Sequence, residues 1–449
     1  MEDTRLEAGV QASAGVSEEL NQRLLEFVWP LLVALDEQID KRLVRTFFKT
    51  LQVIIRFRHR TQGLLLSELG MYILTPHEAP AGTKRLSNLL RSTKWSYRLV
   101  ERYLWRQAWE RVRDIVKEGA PALAVWDESV LEKPESIALE GLCAVRSAKA
   151  RRLTRIKPGF YNPPGGRPVF VPGMQWLSLI VMGMKGAPTL AAMRWWSTRG
   201  PLATDRRSVE RGLLRRCWLT FGNQLLHVFD RGFAGAPWLM ELDRYPLRFV
   251  VRWPSHYTLL DALGHKRKAW EITRGKRSLD HRLIWDCCRH CHRKTGLFFL
   301  PVSHPDYSQP LWLVLSRPGN GHTPWYLLTN QPIHSTDDAW HIVFAYARRW
   351  QIELTYRFSK CELAMESPRL WQWNNRLKLL FMVTLVYAFL LSLLADAFRP
   401  LRDWLLRFWC HRTGKRSRET STPLYRLRAA LSHLWMSHPP PPLLLQNSG

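Results

Sequence analysis

Apolar residues recur at three- and four-residue intervals through the first 115 positions, and beyond them the period shortens. LLEFVWPLLVALDEQI and LVRTFFKTLQVIIRFR carry the longer spacing with basic residues between, which predicts amphipathic helices. GTKRLSNLLRSTKWSYRLVERYLWRQAWERVRD predicts two more, broken near Arg91 to Thr93, each with a Thr or Ser at hand as a cap. From Ala122 short apolar runs take over: ALAVWDES, VFVPGMQWLSLIVMG and APTLAAMRWW predict three consecutive strands. A helix near 205–218, a strand in QLLHVFDRGFAG, a helix near 236–245 and a strand in RFVVRWP complete the series. That order describes an α/β class, a mixed sheet with helices on its faces.

Between 255 and 335 the pattern turns to short alternating runs with turn residues, FFLPVS, LWLVLS and WYLLTN, predicting a separate β-rich insertion. A helix over 346–360 then returns to the first core. The most apolar stretch, LLFMVTLVYAFLLSLLADAF at 379–398, offers about 17 residues before Asp396, the short limit for a membrane span. Arg376, Lys378 and Arg399 flank it, and the expectation is a buried helix. From 399 a basic segment leads to HPPPPLLLQ, whose four prolines from Pro439 forbid regular helix and predict an extended or mobile tail. The expected organisation is therefore a helical domain at 1–115, a core in two parts at 116–254 and 336–398, an insertion at 255–335, and a tail at 399–449.

Charge narrows the partners. Across 449 residues, 66 Lys and Arg face 38 Asp and Glu, a formal net charge of +28 spread along the whole length. Such a field favours a polyanion, nucleic acid ahead of an anionic membrane surface. Lys84, Arg85, Arg91, Lys94 and Arg98 crowd the break between two predicted helices, which suits a DNA-binding domain, helix-turn-helix included, or a basic packing domain. The N-terminal MEDTRLEAGVQASAGVSEEL is acidic and polar rather than a secretory signal, so the expected location is cytoplasmic and nucleoid-associated. Seven Cys do not make a disulfide scaffold. Cys287, Cys288 and Cys291 cluster with His290 and His292 in DCCRHCHRK, where reduced thiols and a zinc site completed by His281 are both open readings.

The candidate chemistry lies in YARRWQIELTYRFSK. On one continuous helix Tyr346, Arg349, Glu353 and Lys360 fall within roughly a 60° sector about 21 Å long, with Trp350 and Arg357 at its margins. A carboxylate among cations, a phenol and an indole suits a helix that holds a metal ion against a phosphodiester. A solvated helix face carrying the i,i+4 pair Glu353 and Arg357 would show the same letters. Asp127 ends one predicted strand and Asp230 another, each after an apolar run, as a strand stop or helix cap also would. On adjacent parallel strands, about 4.8 Å apart, the two carboxylates could share divalent ions with Glu353. Oxygen ligands of this kind select Mg²⁺ or Mn²⁺.

The order Asp127, Asp230, Glu353, with Tyr-x2-Arg-x3-Glu-x6-Lys across Tyr346, Arg349, Glu353 and Lys360, resembles the DDE transposases of bacterial insertion sequences that carry the Y-R-E-K signature. FDRGFAG and WYLLTN look like two further motifs of that family, and the resemblance spans about 120–395. It implies an RNase H-like mixed sheet with a β-rich insertion, next to the N-terminal helical domain. It also implies Asp127, Asp230 and Glu353 as catalytic ligands of Mg²⁺ or Mn²⁺, and Tyr346, Arg349 and Lys360 as grips on DNA phosphates, with Arg357 beside them. Trp350 and Trp325 are candidates for holding an extruded base, core packing being the competing role. In VRSAKARRLTRIKPG, Arg146, Lys149, Arg151, Arg152 and Arg155 suit a DNA backbone or a solvated loop. The expected activity is cut-and-paste transposition: metal-dependent cleavage at element ends, then strand transfer. The expected partners are double-stranded DNA at terminal inverted repeats, target DNA and a second copy of the chain, with no membrane. The rivals are a transposase-derived DNA-binding protein that no longer cuts and a membrane-surface protein, which would explain neither the strand-borne acids nor the spacing.

Overall fold

In the computed structural model, residues 12–57, 63–133, 138–147, 169–286, 291–319, 322–411 and 424–443 are described. The N-terminal apolar periodicity becomes five helices, α1 (Ser13–Asp36), α2 (Lys41–Arg56), α3 (Leu66–Ile73), α4 (Ala79–Arg91) and α5 (Tyr97–Lys117). The break expected near 91–93 falls between α4 and α5, where Ser96 caps α5 by accepting from the Arg98 amide. Buried Trp95 closes that turn by donating to the Leu89 carbonyl at 2.8 Å. At Gly82 an added Cβ would stand 2.1 Å from the Gly70 carbonyl oxygen, so α3 and α4 approach through backbone that only glycine leaves free.

The core strands are β1 (Ala122–Glu132), β2 (Cys143–Arg146), β3 (Phe170–Met182), β4 (Thr189–Trp196), β5 (Leu225–Phe229) and β6 (Arg248–Arg252). β3 pairs antiparallel with β1, β2 and β4, whereas β1, β5 and β6 run parallel. Helix α6 (Arg206–Phe221) joins β4 to β5, and α7 (Ala236–Asp243) joins β5 to β6. Parallel strands covered on both faces read as continuous apolar runs, and every residue of β5, LLHVF, is buried. Alternate residues of β1 serve two apolar layers: Leu123 and Val125 join one with α11 (Trp373–Ser392), Ala124 and Trp126 the other with α6 and α7.

The strands expected to form a separate insertion instead extend this sheet. After the small elements β7 (Thr258–Leu260), β8 (Lys266–Lys268) and α8 (Ala269–Thr273) come β9 (Asp280–Asp286), β10 (Cys291–His304), β11 (Tyr307–Arg317) and β12 (Trp325–Thr329). β12 pairs antiparallel with β6, and the order continues through β11 and β10 to give a twelve-stranded sheet. An open β6 edge would leave a row of unpaired backbone groups, and β12 covers it. Both faces of β11 carry buried apolar residues, Leu313 in one layer and Val314 in the other.

Two further expectations meet the structure differently. The tail is not an extended appendage: α12 (Arg399–Phe408) and α13 (Leu424–Ser437) are helical, and α13 is buried against α2. Arg428 donates to the Ile54 and Phe57 carbonyls at 3.2 and 2.6 Å, and Ser432 to that of Arg56 at 2.6 Å. The prolines act only beyond Ser437, after a helix whose apolar face has found a partner. The apolar stretch forms α11, which has the length and hydropathy of a membrane span, but 83% of its apolar window is buried inside the protein. It begins before the apolar run and ends at Ser392. Its flanking cations serve the fold: Arg376 donates to carbonyls of Glu140 and Leu370 at 2.9 and 2.6 Å. Lys378 donates to those of Leu90 and Ser92 at 3.0 and 2.6 Å, where α4 ends.

Candidate active site

The parallel pairing of β1 with β5 stops at Trp126 opposite Phe229, and the next residue on each side is an aspartate. Asp127 does not end its strand, as the sequence suggested; β1 continues to Glu132 on the support of β3 alone. What ends there is the parallel partner. Asp127 and Asp230 thus stand side by side at the carboxyl end of a parallel pair, where an α/β sheet opens a crevice.

Glu353 reaches the same crevice, though not on one continuous helix with Tyr346. Helix α9 (Thr336–Ala347) stops and α10 (Trp350–Cys361) begins three residues later. The turn is closed by the Arg349 amide donating to the Tyr346 carbonyl at 3.0 Å. Arg348 and Arg349 keep right-handed helical backbone angles, but the hydrogen bonds around them tighten to the i→i−3 pattern, so the face drawn from regular helical periodicity is interrupted there. Arg349, whose side chain is only 12% exposed, stands at the centre of the carboxylates. Its Nη1 lies 3.4 Å from Asp127 Oδ2, its Nε 3.8 Å from Asp230 Oδ1, and its Nη2 bonds Glu353 Oε1.

The other signature residues take separate places. Tyr346 is buried and donates its hydroxyl to Asp230 Oδ1 at 3.1 Å. Its pKa is pushed up by burial and by Asp230, which keeps it a protonated donor. Lys360 Nζ donates to Ser129 Oγ at 2.8 Å, along the β1 face that carries Asp127. Half-buried Trp325 packs edge-on against Tyr346 with ring centroids 5.2 Å apart. Trp350 stays 49% exposed beside Arg349, and Arg357 is exposed further along α10. Arg151 and Arg152, with Lys149 and Arg155 of the same stretch of sequence, lie outside the described residues, as do Cys287, Cys288 and His290.

Sequence reasoning missed Tyr356 and Arg252. The Tyr356 hydroxyl bonds the Asp127 backbone carbonyl and pins α10 to β1. Its position three residues after Glu353, on the same helical face, is the signal that could have found it. Arg252, the last residue of β6, stands close enough to Tyr346 for its charge to oppose the rise of the hydroxyl pKa, and only the tertiary pairing of β6 brings it there.

Burial pushes the Asp127 carboxyl up to about 7; Arg349 and the Glu128 amide work against that rise, and Asp230 and Glu353 add to it. For Arg349 burial opposes the charge, but Tyr346, Asp230, Asp127 and Glu353 outweigh it and push its pKa up. Hard oxygen donors of this kind suit Mg²⁺ or Mn²⁺. Among the described residues no three acidic, His or Cys side chains stand close enough together to share one ion in this conformation, in which the guanidinium lies between the carboxylates. Compared with known proteins, the chain matches no family model and no curated sequence.

Proposed function

We propose that the chain is a DNA transposase of cut-and-paste type, built on an RNase H-like core, cleaving element ends and joining them to target DNA. The observation that carries this reading is the convergence of Asp127, Asp230 and Glu353 on one buried cation. The order β4, β3, β1, β5, β6, antiparallel in its first part and parallel in its second, is compatible with an RNase H-like sheet. Asp127, Asp230 and Glu353 would hold Mg²⁺ or Mn²⁺, which supplies Lewis acidity for phosphoryl transfer. Tyr346 keeps its proton and orients Asp230. Arg349 compensates the carboxylates, and its fork of donors also suits a phosphate. Trp350 presents an open indole beside them, and stacking on such a ring is worth about 1–3 kcal/mol per base.

DNA is the proposed partner, at element ends and at the target, and joining two ends calls for two copies of the chain. Lys84, Arg85, Arg91, Lys94 and Arg98 are all exposed around the α4–α5 break, which supports phosphate contact there. The ion pairs that occupy all three carboxylates also favour a second reading, a DNA-binding protein that no longer cuts. The test uses the purified protein, Mg²⁺ and DNA carrying the element's own ends. Nicking that Glu353→Gln abolishes, with the mobility shift preserved, supports the enzyme. Equal nicking by the variant sinks the site assignment, and binding without nicking at any metal concentration selects the second reading.

A further inference from the structure

Side chains alternate across a strand, so Glu128 points to the face of β1 opposite Asp127. There it meets Arg206, the first residue of α6. Arg206 Nη2 lies 2.7 Å from Glu128 Oε2 and donates to the Gly232 carbonyl at 2.9 Å, while its Nε bonds Glu210 Oε1 at 2.8 Å. The guanidinium also covers the Phe233 ring, 5.4 Å from its centroid. Glu210 is fully buried, and its second oxygen is held by Arg207 at 2.8 Å. Arg206 itself is set in place because Asp205 caps α6 by accepting from the Ser208 amide at 2.9 Å.

These contacts join the two backbone stretches that carry Asp127 and Asp230. Glu128 is the neighbour of Asp127. Gly232 and Phe233 belong to the turn that follows Asp230, closed by the Phe233 amide donating to the Asp230 carbonyl at 3.0 Å and the Ala234 amide to that of Arg231 at 3.2 Å. No backbone pairing of β1 with β5 extends past Trp126 and Phe229. Beyond that point the planar, five-donor Arg206 spans the gap.

We propose that Arg206 is a positioning residue, which clamps the Asp230 turn to the Asp127 strand from the far face of the sheet and so sets the separation of the two carboxylates. Its effect on metal binding rests on the function proposed above; the clamp itself does not. Arg207 supplies the control, because it makes an equally short ion pair with Glu210 and its contacts do not include Glu128 or Gly232.

The experiment compares wild type, Arg206→Ala, Arg206→Lys and Arg207→Ala in the full-length protein. Hydrogen exchange of the 229–234 segment is read by mass spectrometry, and Mn²⁺ binding by the spin-resonance signal of the free ion. Arg206→Ala should speed exchange in that segment about tenfold and raise the half-saturating Mn²⁺ concentration at least tenfold, within the range known for residues that orient metal ligands. Arg206→Lys should lie between, since the three donors of an ammonium radiate from one atom and lack the planar fork that reaches Glu128, Glu210 and Gly232 together, and Arg207→Ala should match wild type in both. If Arg206→Ala does not fold, the lysine variant carries the same comparison. Unchanged protection in the Arg206 variants, or equal losses in Arg206→Ala and Arg207→Ala, would overturn the clamp. Lost protection in a protein whose wild type binds no Mn²⁺ would uphold the clamp and overturn the metal centre instead.

Discussion

Arg349 is the residue on which the whole candidate site depends, because among the described residues it alone faces all three carboxylates. Removing one partner of a buried charge cluster costs about 3–5 kcal/mol, and Asp230 and Glu353 keep roughly a third of their side chains exposed, which places this site toward the low end. Arg349→Met should therefore lower the melting temperature in EDTA, and Mn²⁺ should restore more of it in the variant than in wild type. If Mn²⁺ raises neither, the carboxylates do not share an ion. Asp127 adds a pH dependence of known sign. Its pKa rises on folding from 3.8 to about 7, so between those values the folded chain holds a proton that the unfolded chain releases. Stability from this group is thus present at low pH and is lost as pH rises through about 7. Without divalent ions, Asp127→Asn should melt above wild type at pH 8, and the gap should close by pH 4. A constant gap would mean that Asp127 is ionised throughout.

At the scale of elements, most strands and helices were legible from periodicity, and the exceptions have physical causes. YARRWQIELTYRFSK has no Gly or Pro and keeps helical spacing across Arg348 and Arg349, so nothing local marks the break. The interruption falls at Arg349, which meets carboxylates on distant elements, and a pattern of apolar positions cannot report that attraction. Similarly, Lys378 reads as a membrane-flanking cation, yet it caps the end of α4; burial lowers its pKa to about 8. The α3–α4 crossing gives an element-scale prediction. Gly82→Ala would force a Cβ against the Gly70 backbone and should destabilise by about 1–3 kcal/mol in thermal unfolding. Gly212→Ala in α6 meets nothing within 4 Å and should stabilise by up to about 1 kcal/mol. Equal effects at the two glycines would contradict the close approach.

For the whole molecule, the last helix belongs to the core. Leu427, Ala430, Leu431, Leu434 and Trp435 are fully buried, in one apolar cluster with residues of α1, α2, α11 and the sheet. Burying a large apolar side chain is worth about 1.5–3 kcal/mol. Losing several therefore compares with the entire stability of a typical domain, about 5–15 kcal/mol. A chain ending at residue 411 should lose its cooperative calorimetric transition or melt at least about 10 °C lower; an unchanged transition would make α13 dispensable.

By itself the sequence determined the mixed α/β class, the position of most core strands and N-terminal helices, the net charge, and the order in which Asp127, Asp230 and Glu353 occur. All of these are local or compositional properties: apolar period, caps, turn residues, net charge. Only the tertiary structure decided that β1 and β5 pair in a register that sets the two aspartates side by side, that 255–335 continues the sheet, and that the C-terminal helix closes the core. It also decided where Arg349 goes, across 222 residues to Asp127. Strand register and ion pairing over such separations depend on which distant surfaces are buried together, and that information is distributed over the whole chain rather than written at any one position in it.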